Sequence, residues 1–332
     1  MINIRKCAII GCGFVGATSA FSLALSRMFS EIVLIDIDRK KAEGEAADIN
    51  HALPLISPMD IYAGDYSDLA DANIMIITAG AAQRPGQTRT DLVQSNAKIF
   101  ESIVRNIVAY NTEGILLVVT NPVDVLTYVT LKISGFPPER VIGSGTVLDS
   151  ARLKYLIGRH LDVDPRNVHT FIIGEHGDSE LPVWSSANVS GVDLNKFCES
   201  CHTHCDMESL HALFNDAKMS AYKIIEAKGA TYYAIAESVR RIASAIMRDE
   251  STILPISALA SGHYGLYDVC LGIPCVVGRN GIKQVLEIPL DDLERSMLIS
   301  SAQKLKSLAA SLDIFSDQKK KSKNTVDKKS IW

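Results

Sequence analysis

The sequence predicts a doubly wound α/β sheet followed by a second domain of α+β type. Three observations predict it. Short, nearly all-apolar runs alternate with helical patterns through the first half. The glycines of "GCGFVG" fall at the first strand-to-helix junction. After about Thr146 the alternation gives way to mixed strands and long helices. Runs that are apolar at almost every residue suit strands covered on both faces, and so a parallel sheet with helical crossovers.

The elements follow in order. "KCAIIG", "EIVLID", "NIMIIT" and "ILLVVT" are four such strands, and "PPERVIGSG" brings a fifth apolar segment. Helices are expected between them over Val15–Phe29, Arg39–His51, Asp91–Tyr110 and Val123–Ile133. Asp91 suits the start of its helix, where the dipole favours a carboxylate. Beyond Thr146, "VLDSARLKYLIGRHL" reads as a helix and the stretches around "VHTFIIG" and "PVWSSANV" as strands. Helices over Asp206–Ala227 and Thr231–Arg248 come next, then strands at "TILPISALASG" and "YDVCLGIPCVVGRNG". A last amphipathic helix runs near Asp291–Ala310. The expected division is 1–145 for the doubly wound domain, 146–312 for the second, and 313–332 for a lysine-rich, disordered tail.

Composition narrows the function classes. With 332 residues, 47% hydrophobic and 22% charged, the chain is ordinary globular protein. Its net charge of −4 gives no footprint for nucleic acid. The positive charge is concentrated in "SDQKKKSKNTVDKKSIW", which reads as a solvated tail. The uncharged stretch Cys7–Ser26 imitates a signal peptide or membrane span. Its spaced glycines, and the strand that follows, assign it instead to a β-α-β unit, so a soluble, cytoplasmic protein without a membrane partner is expected. The seven cysteines cannot all pair within the chain. The cluster "CESCHTHC", Cys198 to Cys205, has spacing that zinc can use, or is a polar surface connection with incidental thiols; no metal is expected.

Gly11, Gly13 and Gly16 have the G-x-G-x-x-G spacing, which is weak evidence alone. Here it follows a strand, opens a helix and precedes a second strand ending at Asp36, so the sheet is of Rossmann type. Gly11 permits a tight turn, Gly13 a close approach of backbone to a pyrophosphate, and Gly16 helix–sheet packing. The helix N-terminus offers amide donors to phosphate. Asp36 is placed to accept hydrogen bonds from the adenosine ribose and to repel a 2′-phosphate, which favours NAD over NADP.

"GEHGDSE" sets His176 in a glycine-flanked segment after an apolar strand, and "VLDSARLKY" puts Asp149 and Arg152 on one side of a helix. Two readings are open. The pair is a surface ion pair, or Asp149 orients His176 while Arg152 grips a carboxylate with its planar fork. Asn121, in "VVTNPVDVL", stands at a strand end, where open α/β sheets bind ligands.

"GCGFVGAT", "AGAAQRPGQTR", "TNPVDVLTY", "LDSARL", "IIGEHGDSELPVW" and "KGATYYAIAESV" together resemble the L-lactate and malate dehydrogenase family, in its order, over nearly residues 5–312. The resemblance implies hydride transfer between a nicotinamide and the C2 carbonyl of a 2-oxo acid. By this likeness His176 is the proton donor and acceptor, and Asp149 its orienting carboxylate. Arg152 binds the substrate carboxylate, Arg89 is the loop arginine that polarises the carbonyl, and Asn121 contacts substrate and nicotinamide. Val15 and Gly80 join the glycines, Asp36 and Asn121 as expected cofactor residues. A homotetramer working in glycolysis and in fermentation of pyruvate to lactate is implied as well.

The family divides by substrate. A dicarboxylate needs a second cation six residues before the loop arginine, and the residue there is the neutral Gln83. A second carboxylate would be buried unpaired, at several kcal/mol. Thr231 matches the position where the lactate enzymes have Thr. Both favour pyruvate and L-lactate. Arg84, next to Gln83, is expected to be a solvated neighbour. Malate or another 2-hydroxy acid is the first alternative, and a catalytically silent NAD-binding relative the second. Some bacterial members bind fructose 1,6-bisphosphate through an arginine and a histidine; Lys154 and His169 stand at those positions, and the lysine leaves activation open.

Overall fold

The structure, a computed structural model, describes residues 1–81, 89–200 and 206–315. Gln83 and Arg84, residues 201–205 of the cysteine cluster and residues 316–332 of the lysine-rich tail lie outside the described residues, as does the zinc question that the cluster raises. Residues 313–315, expected to belong to the disordered tail, are instead ordered, with Ile314 buried in the core and the Phe315 ring packed 5.8 Å from that of Tyr128.

The first half runs β1 (Asn3–Ile10), α1 (Phe14–Ser26), β2 (Glu31–Ile35), α2 (Arg39–Ile56), β3 (Asp60–Ala63), β4 (Ala72–Ile77), α3 (Arg89–Tyr110), β5 (Ile115–Val118), α4 (Val123–Ser134) and β6 (Val141–Gly143). All six strands are parallel, in the order β3-β2-β1-β4-β5-β6. The chain starts in the middle of the sheet, winds to one edge, then crosses β1 and winds to the other. Ile9, Leu34, Ile76 and Leu117 on its central strands have no exposed surface, as a sheet covered by helices on both faces requires. The crevice lies where the winding reverses, between β1 and β4.

The second half adds α5 (Val147–His160), β7 (Val168–His169), β8 (Ile172–Ile173), β9 (Leu181–Pro182), β10 (Asn188–Val189), β11 (Val192–Asp193) and α6 (Leu194–Ser200). It continues through α7 (Met207–Lys228), α8 (Tyr233–Met247), β12 (Thr252–Ser261), β13 (Tyr267–Gly278), β14 (Gly281–Val285) and α9 (Asp292–Ala310). The strands β12, β13 and β14 do not build a sheet of their own. They extend the first one, antiparallel, to nine strands, with Ser257 of β12 paired to Gly143 of β6. A side chain at residue 143 would put its Cβ 2.6 Å from the Ser257 Cβ. The small remaining sheets are β11-β10-β7 and β8-β9.

Two differences from expectation have plain causes. The strand β3 reads as "DIYA", with a single fully buried residue, so its alternation is too weak to register. The helix α2 continues past His51 to Ile56 with Pro54 inside it. A proline one turn from a helix end removes only a local hydrogen bond there. Among the described residues no helix is long and apolar enough to cross a membrane.

Candidate active site

The turn from β1 into α1 makes the first cleft. Gly11 has φ +103°, and a Cβ there would lie 2.5 Å from the Ala79 nitrogen. At Gly16 a Cβ would lie 1.9 Å from the Gly11 carbonyl oxygen. The protein's own packing therefore requires both glycines. Gly13 differs, because a Cβ there meets nothing within 4 Å. It is the N-cap of α1, and the open space in front of it faces the free amides of the first turn. Asp36, at the end of β2, takes hydrogen bonds from the Cys12 amide at 2.6 Å and the Asp38 amide at 3.0 Å. A cleft of about 630 Å³ joins Gly11, Gly13, Asp36, Tyr66, Gly80 and Ile99. Val15 sits on the first turn of α1 and packs against the core instead. Gly13→Ala is expected to change thermal stability by less than about 1 kcal/mol. It should weaken NADH binding about tenfold or more, read by fluorescence titration.

A second cleft, of about 360 Å³, collects Asn121, Asp149, Arg152, His176 and Glu180. Asp149 and Arg152 come from the first two turns of α5. His176 comes from the loop between β8 and β9, where Gly174 at φ +90° and Gly177 at φ +153° let the backbone turn sharply on either side. Asp149 uses both oxygens. One meets the His176 Nδ1 at 2.5 Å, and the other accepts from the Arg152 Nη1 at 2.9 Å. The Asp149 side chain is 5% exposed, Arg152 13% and His176 24%, so the couple is largely shielded from water while all three line the cleft. With Nδ1 engaged, Nε2 is the ring nitrogen left for a ligand. Of the two readings of the Asp149–Arg152 spacing, the bland surface pair does not hold: Asp149 is buried, both residues line the cleft, and the same carboxylate also meets His176.

The electrostatics follow from this packing. Burial disfavours the imidazolium of His176, but the Asp149 carboxylate against it more than offsets that and holds its pKa up to about 9. Burial likewise disfavours the Asp149 carboxylate, and His176 and then Arg152 pull its pKa below the ordinary range. Glu180, 5% exposed, is pushed up to about 8 by burial and then by the like charge of Asp149. Asp149, His176 and Glu180 bring donor atoms within 4.8 Å of one another. A metal could use that spacing, but both Asp149 oxygens are already held by His176 and by a cation, Arg152.

Several contributors carry no signal in the sequence. Asn96, buried within α3, accepts from the Ala81 amide at 2.8 Å and donates to the Asn121 carbonyl at 3.1 Å, tying the loop's entrance to the ligand-facing asparagine. Its only trace is a polar residue on an otherwise apolar helix face. Lys218, Tyr222 and Ile225 of α7 wall the second cleft, and Lys218 donates to the Asp178 carbonyl at 2.6 Å. Thr231 lies in the link between α7 and α8, half-buried, and is not among the residues lining either cleft. Arg89 opens α3; its side chain is outside the described residues. Away from the clefts, Lys154 holds its Nζ 5.6 Å over the Phe171 ring, and burial lowers its pKa. His169 is exposed on β7.

A cleft behind a glycine-rich turn, and a second one holding a histidine, a carboxylate and an arginine, invite comparison with known proteins. A family model described as lactate/malate dehydrogenase, NAD binding domain, matches residues 5–143. The companion model, the alpha/beta C-terminal domain, matches residues 146–313. The chain belongs to the lactate/malate dehydrogenase family. The family's NAD-binding domain is thus the half that carries the Gly11–Gly16 turn, its cofactor is NAD, and the family member is an oxidoreductase. It is 53% identical over 311 residues to an L-lactate dehydrogenase of Acetivibrio thermocellus, covering 94% of this chain and 98% of that one. To an L-lactate dehydrogenase of a Thermoanaerobacter species it is 54% identical over 311 residues, 94% of this chain and 100% of the relative. Among solved structures, a minor L-lactate dehydrogenase of Enterococcus mundtii superposes with a TM-score of 0.90 at 41% identity, covering 92% of this chain and 98% of that one. A lactate dehydrogenase from a deep-sea metagenome library matches with a TM-score of 0.90 at 44% identity, covering 93% and 98%.

Proposed function

We propose that this family member is an NAD-dependent L-lactate dehydrogenase that reduces pyruvate to L-lactate, reversibly. The observation that carries the reading is the bifurcated carboxylate of Asp149, which holds a proton-carrying imidazole and a guanidinium side by side in one cleft. The nicotinamide, when bound, supplies the hydride that the C2 carbonyl carbon accepts. His176 gives its proton to the carbonyl oxygen and takes it back in the reverse direction. Asp149 keeps the ring in the orientation that presents Nε2 and stabilises its charged form. Arg152 has N–H groups beyond the one given to Asp149, and these bind the substrate carboxylate in two-pronged fashion. Asn121, on the wall of the second cleft, positions substrate and cofactor. By the family likeness Arg89 brings a second guanidinium to the carbonyl oxygen as negative charge grows there.

The choice of pyruvate over oxaloacetate rests on Gln83 in the sequence, supported by relatives named as L-lactate dehydrogenases. A neutral glutamine leaves the second carboxylate of oxaloacetate without a partner. Purified enzyme is expected to favour pyruvate by about a hundredfold or more in kcat/KM, and Gln83→Arg to reverse the order. Spectrophotometric NADH loss with each acid measures both. A preference of the parent enzyme for oxaloacetate would overturn the reading, and turnover of neither acid would favour a silent relative.

The same reading carries a homotetramer in the cytosol, working in glycolysis. Phe14, 70% exposed on α1, and Tyr233, 69% exposed on α8, are large apolar side chains of the kind that subunit contacts cover. Light scattering tests the assembly. Fructose 1,6-bisphosphate would be held at Lys154 and His169, with the lysine as a point charge; rates at low pyruvate with and without the sugar bisphosphate test that site.

A further inference from the structure

His176 is oriented by Asp149, and the backbone before it is held at Gly174, which exchanges two hydrogen bonds with Gly272 of β13, and at Glu175, whose amide donates to the Ser301 Oγ at 2.8 Å. The segment 174–180 is irregular, bracketed by β8 and β9, each two residues long. At the histidine itself the backbone is anchored by a side chain from the other half of the molecule. Asp124, in the first turn of α4, accepts the His176 amide on its Oδ2 at 2.7 Å and the Ser257 hydroxyl on its Oδ1 at 2.6 Å. Asp124 is 2% exposed, and Ser257 is fully buried. One carboxylate thus joins α4, β12 and the histidine loop.

We propose that Asp124 is a positioning residue for His176: it sets the height of the imidazole in the cleft through the backbone amide, and its charge supports the imidazolium. The proposal rests on the reading of His176 as the proton donor. The geometry gives Asp124 a distinct task from Asp149, which holds the ring by Nδ1 and not the backbone. Asp124 also begins three residues after Asn121, so one short segment, 121–124, supplies both the ligand-facing asparagine and the anchor of the histidine. The groups around the couple are Glu175 on the same loop, Tyr128 on α4, Asp268 and Cys270 on β13, Lys306 on α9, and Asp149, Arg152 and Glu180 in the cleft, with Asp268 already bonded to Tyr128 and Lys132. Burial pushes the Asp124 pKa up to about 6, with the two donors holding it down, so it is ionised at neutral pH. Its charge adds to that of Asp149 in favouring protonated His176.

Asp124→Asn keeps the shape and removes the charge. Misplacing a reacting group by a fraction of an ångström costs about tenfold to a hundredfold in kcat. That loss is expected in pyruvate reduction, with KM changed less than about threefold and NADH affinity less than about twofold. The alkaline limb of kcat/KM should move down by about half a pH unit or more. The same drop should be seen without turnover, as a lowered imidazole titration in the NMR spectrum of 15N-histidine-labelled enzyme, with the resonance assigned by its loss in His176→Asn. An unmoved limb with kcat within about twofold of the parent overturns the inference while leaving the reaction assignment intact. Parallel loss of kcat, substrate affinity and NADH affinity would make Asp124 structural only, and overturns it too. If the parent reduces no 2-oxo acid, the reaction assignment fails, and the NMR titration still decides the anchor. Should Asp124→Asn not fold, Ser257→Ala removes one donor to the carboxylate. It should then raise the acid limb of kcat by about half a unit, and an unmoved acid limb overturns the inference.

Discussion

Replacing His176 with Asn is expected to lower kcat for pyruvate reduction by about 10²–10⁴-fold, the usual worth of a positioned general acid. NADH affinity stays near that of the parent, because the Gly13 cleft does not include the histidine. The parent enzyme is expected to show a pH dependence of a definite sign. Reduction needs imidazolium, and Asp149 keeps that form up to about pH 9. So kcat/KM for pyruvate is flat through neutral pH and falls as pH rises through about 9. Oxidation of lactate needs the neutral ring and rises over the same interval. Stability runs in parallel: a histidine whose folded pKa is raised contributes fully below its unfolded value and loses that contribution as pH climbs towards 9. In Asp149→Asn the limb should fall back towards the ordinary histidine range, near pH 6.5. Initial rates across pH in both directions measure all of this, and a limb that stays put in Asp149→Asn would detach the two residues.

Replacing Arg152 with Lys is expected to lower kcat/KM for pyruvate by about 10²–10³-fold, within the range of about 2–5 kcal/mol for truncating one partner of a desolvated, hydrogen-bonded charge pair. A lysine keeps the charge but offers a point where the substrate carboxylate meets a planar fork. It must also serve Asp149, which loses a donor held at 2.9 Å. Most of the loss should appear in KM, since the pairing with the substrate carboxylate is present before and during reaction. Added guanidinium at millimolar concentration is expected to restore part of the rate in Arg152→Ala. Unchanged KM for pyruvate in Arg152→Lys would remove Arg152 from the binding site.

The β1-α1-β2 unit was legible because three glycines and an acidic strand end obey geometry that recurs with local spacing. Helices α4 and α9 were legible from their apolar period. The nine-stranded sheet was not. The segments "TILPISALASG" and "YDVCLGIPCVVGRNG" announce strands, but nothing in them says that Ser257 pairs with Gly143, 114 residues earlier. The same limit applies to the site. Asp149, Arg152 and His176 each stood out by residue type, yet their meeting spans 27 residues of chain and is a product of tertiary packing. Asp124, Asn96 and Glu180 were silent because a single polar residue in a helix or loop reads as solvated until its burial is known. Asp124 in particular reads as an ordinary acid favouring the start of a helix.

The shared sheet also bears on how the chain can be cut. If the first half ended at β6, that strand would present a bare row of amides and carbonyls to water, a template for pairing with other chains. In the intact protein β12 covers that edge, and β13 and β14 move the exposed border to the end of the C-terminal half. The NAD-binding half and its partner are therefore poor candidates for separate expression or for exchange as modules between relatives. They should melt in one transition, and a nick near residue 145 would threaten solubility before it threatened chemistry.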